Sequence, residues 1–141
     1  MIKIISFLFL LTSCVSPKGF TDNSFTIIHK SVIGGSENPG HLLIQNNEIY
    51  IQFIESLKLD ESEYANFLKV DFKKKDVLVL YQGQKNTGGY AIDIEYISNN
   101  DATIVVKKRE IGPKKGELVT MEITTPFCIA LIPKGNKLIV E

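Results

Sequence analysis

The chain has 141 residues, 16 basic against 16 acidic, a formal net charge of zero and 44% hydrophobic residues. That length suits one domain able to bury a core, and the balanced charge argues against a nucleic-acid surface, which needs clustered positive charge. The two dense basic runs, Lys73-Lys74-Lys75 and Lys107-Lys108-Arg109, read as solvated turn or strand faces, so no nucleic-acid partner is expected.

The chain opens with MIKIISFLFLLTSC: one basic residue at Lys3, an apolar run over 4–11 and small residues leading to Cys14. This is the layout of a secretory signal, and the run is too short for a permanent membrane span. Leu11-Thr12-Ser13-Cys14 resembles a bacterial lipobox, which implies a signal peptide over 1–13 and lipidation at Cys14. Several acyl chains on one residue anchor firmly where a single chain is marginal. The expected product is an envelope protein held to the membrane through its N-terminal lipid by a tether, 14–23. Val15-Ser16-Pro17-Lys18 offers no acidic export tag, which favours an outer-membrane, periplasm-facing position.

A first strand is expected over 24–30, followed by turn residues Gly34, Gly35, Asn38, Pro39 and Gly40. Ile49, Phe53, Ile54 and Leu57 then recur at helical spacing, with Asn46 or Asn47 available as N-cap. Residues 60–69 read as a loop with one further helical turn, carrying Tyr64, Phe67 and Leu68 toward the core. From residue 77 the pattern is β. The apolar run 77–81 suits a strand covered on both faces, and Tyr90, Ile92, Ile94 and Tyr96 alternate with polar or small residues. Asn99-Asn100-Asp101 predicts a hairpin turn into 102–110, and the Gly112 to Gly116 turn leads to a strand over 118–124. Strands over 127–132 and 138–140 complete the series. The expectation is an α+β fold: a mostly antiparallel sheet of six or seven strands with one main helix packed against it.

Catalytic chemistry is sparse. His29 falls in a predicted strand and His41 beside the turn cluster, neither within a known motif. No CxxC or HExxH occurs, so neither a metal site nor a cofactor is expected. Glu61 with Glu63, and Asp93 with Glu95, read as surface carboxylates, and Cys128 in PFCIALIP as a buried thiol. The stretch GQKNTGGY follows a phosphate loop for six positions but sets Gly89 and Tyr90 where lysine and a hydroxyl residue are required. The chain therefore reads as non-enzymatic.

The feature that stands out is Lys85-Asn86-Thr87-Gly88-Gly89-Tyr90. Paired glycines cost conformational entropy, so the turn either demands backbone angles closed to other residues or lets another molecule approach bare backbone. In the first reading Tyr90 packs into the core as head of the 90, 92, 94, 96 series. In the second, its apolar face and polar tip serve an exposed interaction loop.

The ordered set formed by VLVLYQG, Thr87-Gly88-Gly89-Tyr90 with its alternating strand, Gly112-Pro113 and the strand start at Pro126 resembles the PrcB C-terminal domain. The resemblance is strong over 71–133. It implies a PrcB-like β-rich domain over 24–141, similar to the accessory subunit of a bacterial cell-surface protease complex, whose partner would be an envelope protease or another envelope protein. The loop Asn86 to Tyr90 is also similar to the NPTTGY loop of chagasin-type cysteine-protease inhibitors. It lacks that loop's proline and the aromatic two residues beyond the tyrosine, which leaves inhibition as the alternative.

Overall fold

The computed structural model describes residues 25–67 and 70–141. The expected signal peptide, the lipidation site Cys14, the tether and Leu68 lie outside the described residues. Within them, the elements in chain order are β1 (Thr26–Ser31), β2 (Gly40–Ile44), α1 (Asn47–Ser56), α2 (Glu61–Phe67), β3 (Lys75–Tyr81), β4 (Ala91–Asn100), β5 (Thr103–Ile111), β6 (Phe127–Pro133) and β7 (Lys137–Val140).

The strands make two sheets where one was expected. The first has the order β1-β6-β3-β2 and is antiparallel throughout; the second has the order β4-β5-β7, with β4 antiparallel and β7 parallel to β5. The cause lies in the apolar runs of β3 and β6, which occupy the centre of the first sheet. Leu78 and Leu80 of β3, with Cys128, Ala130 and Ile132 of β6, face Ile92, Ile94, Ile97, Ile104 and Val106 of the second sheet. Val77, Val79, Phe127 and Ile129 point the other way, against Ile44, Tyr50, Ile54 and Phe67. Helices, first sheet and second sheet thus form three layers, and the middle one needs hydrophobic side chains on both faces. Each such side chain contributes roughly 1.5–3 kcal/mol on burial.

The helical layer holds two helices, not one. Asn46, in extended conformation, accepts the Ile49 N–H on its side chain and starts α1. Asp60 accepts the Glu63 N–H ahead of α2, which runs well beyond the single turn expected. The Tyr50 hydroxyl donates to the Phe67 carbonyl and joins the two.

Three strand assignments are corrected. Residues 118–124 form no strand, because only Thr124 makes a β-bridge, to Lys85. Gly40–Ile44 does form one, pairing with β3 from Gly40↔Tyr81 to Ile44↔Val77. In β4 the register slips between Ile94 and Tyr96. This bulge turns Ile97 inward and leaves Tyr96 exposed, so the alternation read from Tyr90 to Tyr96 breaks halfway. The β4–β5 turn falls later than expected, at Asp101 and Ala102, both with positive φ as a tight two-residue hairpin requires.

At the far end of the middle sheet, buried Asp76 accepts from Gln45 Nε2 at 3.1 Å and pairs with Lys134 Nζ at 3.0 Å. At the near end, the pairings Ser31↔Phe127, Phe127↔Tyr81 and Tyr81↔Gly40 align the strand tips. The Gln82 side chain donates to the Ile111 carbonyl at 3.0 Å, bringing the tips of the second sheet to the same place. The loops 32–39, 82–90 and 112–126 therefore all emerge at one end.

Candidate interaction site

This loop end carries the six residues singled out in the sequence. Lys85 exchanges both backbone hydrogen bonds with Thr124, at 2.8 and 2.9 Å. Gly88 N–H donates to the Thr120 carbonyl at 2.9 Å, and the Thr124 hydroxyl donates to the Thr87 carbonyl at 3.0 Å. The turn is thus laced to the segment 117–124, here called the arm. Its two glycines serve that docking in different ways. A Cβ on Gly88 would fall 2.3 Å from Thr120 Oγ1. Gly89 has φ +85, a conformation costly for residues with a side chain, and would bring a Cβ to 3.1 Å from Val119 and 3.2 Å from Pro113.

Tyr90 is half-buried and belongs to neither core cluster. Its ring lies where a Cβ on Gly112 would touch it at 3.2 Å, and Lys85 Nζ stands 5.4 Å from its centroid, within cation–π range. Asn86 and Gly89 are exposed, whereas Thr87 and Gly88 are partly covered by the arm.

The arm itself shows what sequence reading missed. Val119 and Thr124 turn inward, but Leu118 is 99% exposed, Met121 89% and Ile123 63%. Val32, Ile33 and Ile111 are exposed apolar residues at the same end. Thr125 N–H donates to the Val32 carbonyl at 2.9 Å and joins the root of the arm to the loop after β1. Contiguous exposed apolar side chains occur at protein and membrane contacts and in ligand grooves. The sequence signal was LVTMEIT, a strand-like string between Gly116 and Pro126 with no partner strand to bury it.

Beside the arm, an open cleft of about 350 Å³ lies between β1 and β4, lined by Lys30, Ser31, Val32, Ala91, Ile92 and Phe127. Asp93 stands near its mouth and pairs with both Lys30 and Arg109, the latter at 3.3 Å. Burial raises the Asp93 pKa, but hydrogen bonds from Lys30, the Ile94 N–H and Arg109, together with the Lys30 charge, outweigh it and hold the carboxyl below its ordinary value.

The titratable residues considered for chemistry stay apart. His29 and His41 lie on β1 and β2, opposite edges of the four-stranded sheet, separated by about 14 Å at ordinary strand spacing. His29 packs between the rings of Phe67 and Phe127, with centroids at 5.5 and 5.6 Å. Glu61 and Glu63 are exposed on α2, and Cys128 is a buried free thiol. Among the described residues no group of three or more His, Cys, Asp or Glu side chains is placed to hold a metal ion, and no helix is long and apolar enough to cross a membrane.

Compared with known proteins, residues 77–133 match the family model described as PrcB C-terminal. The matched stretch begins in β3 and ends with β6, so it contains the glycine turn and the whole arm. No curated protein and no solved structure matches the chain.

Proposed function

We propose, from the premise that residues 77–133 form a PrcB C-terminal segment, that this chain is a lipid-anchored, non-catalytic accessory module of the bacterial envelope. It binds another envelope protein and assists or stabilises a protease complex. The observation that carries the reading is the braced arm. Leu118, Met121 and Ile123 are held in water by a backbone that is itself tied down, so the loss of loop entropy on binding is small. Beside the arm, Asp93 is held in ion pairs with Lys30 and Arg109.

The test is affinity capture of the tagged full-length chain from envelope extracts. A stoichiometric partner that mass spectrometry identifies as a protease or protease subunit is expected, and it should be lost with Leu118→Asp/Met121→Asp. Repeated recovery of no such partner would refute the reading. These substitutions are preferable to changes at Gly88 or Gly89, which would disturb the arm's support. The anchor has its own readout: mass spectrometry of the mature N-terminus should find acylated Cys14.

A further inference from the structure

Oxidisable side chains are few and unequally placed. The sequence has two methionines, two cysteines and no tryptophan. Met1 and Cys14 precede the described residues, among which Met121 and Cys128 are the two sulfurs. Cys128 is fully buried in the middle sheet, and burial pushes its thiol up to about 12, so it holds almost no reactive thiolate. Met121 is 89% exposed on the arm, between Leu118 and Ile123, whose hydrocarbon side chains do not react with mild oxidants. It belongs to neither core cluster, and the backbone on either side of it is fixed by the bonds from Gly88 to Thr120 and between Lys85 and Thr124. A change of chemistry at its sulfur therefore alters the surface and spares the fold.

We infer that Met121 is an oxidation site that switches the arm, its thioether keeping the surface apolar and its sulfoxide releasing the docked protein. The inference rests on reading the arm as a docking surface and adds the chemistry that regulates it. The oxidant is a hydroperoxide, hydrogen peroxide being the simplest. A lone pair of Sδ attacks one peroxide oxygen, the O–O bond breaks and a sulfur–oxygen bond forms. The leaving hydroxide takes up the proton of the transferred hydroxyl and departs as water. Sulfur gives up two electrons and the peroxide accepts them. The product carries a polar, acceptor-only oxygen in the middle of the apolar patch. Burial against a partner's apolar surface then leaves that oxygen without a donor, with the penalty of any unpaired buried polar group. Leu118 and Ile123 stay apolar, so the modification weakens the patch without removing it. The change is reversible, because a dithiol-dependent reductase takes the oxygen off as water.

The experiment oxidises the purified, tagged full-length chain in detergent with dilute hydrogen peroxide, removes the oxidant and presents the protein to untreated envelope extracts. Peptide fragmentation should place the added oxygen on Met121 and none on Cys128, while the urea midpoint stays at its value before oxidation. Partner recovery should fall about tenfold. It should return after treatment with methionine sulfoxide reductases that act on both sulfoxide epimers. In Met121→Leu, capture should be the same before and after peroxide. Oxidised wild type that captures as well as untreated protein overturns the inference and leaves the accessory reading standing. So does a Met121 that peroxide leaves unmodified while N-acetylmethionine in the same tube is oxidised. A peroxide-dependent loss of capture that Met121→Leu shares puts the sensitive group elsewhere and overturns it too. An untreated wild type that captures nothing refutes the accessory reading and this inference together.

Discussion

At Gly89 a single backbone angle decides whether the arm is held. Gly89→Ala keeps φ at +85 only at a cost of about 1–2 kcal/mol, and its new Cβ presses on Val119 and Pro113. Urea unfolding should show that loss through a lower midpoint. Asp93 tests electrostatics at the same scale. Its folded pKa is depressed, so its contribution to stability is present above the unfolded value of about 3.9 and disappears as pH falls through the lower folded value. The stability of Asp93→Asn should therefore be below wild type at pH 7, and the gap should close on acidification below about pH 4, as read from denaturant midpoints. Of these two features, only the first was legible in the sequence. Paired glycines announce a backbone demand in any chain, whereas the Lys30, Asp93 and Arg109 cluster depends on β1 lying across from β4, a pairing that no local pattern encodes.

Among the elements, those that carry their own punctuation were readable and those that depend on a neighbour were not. The Asn46 cap with helical spacing after it gave α1, and Asn46→Ala should cost about 1 kcal/mol, measurable as a lower thermal midpoint. The strand expected over 118–124 has the composition of a strand, but the second sheet closes with β7 instead, and residues 118–124 are tied by backbone hydrogen bonds to Lys85 and Gly88 of the glycine turn. The reverse holds for β2, whose five residues are short and sit directly behind a turn cluster, yet pair along β3. The bulge after Ile94 is invisible in the same way. A period-2 pattern reports faces, not the extra residue that exchanges them.

On the scale of the molecule, the doubly covered middle sheet was foreshadowed by the apolar run in β3, which requires cover on both sides but does not say that a second sheet supplies one of them. Cys128 sits in that middle layer and reports on it. Burial pushes its thiol up to about 12, the Asp93 carboxylate adding in the same direction and Lys30 opposing. Iodoacetamide at pH 8 should leave Cys128 unlabelled in the native protein and label it at the rate of unfolding, with peptide mass spectrometry as the readout. The direction of β1 has a further consequence. It starts at the pole opposite the loops and runs toward them, so Thr26 and the arm stand at opposite poles, and a body that approaches the arm meets the face of the molecule farthest from where β1 enters the sheet.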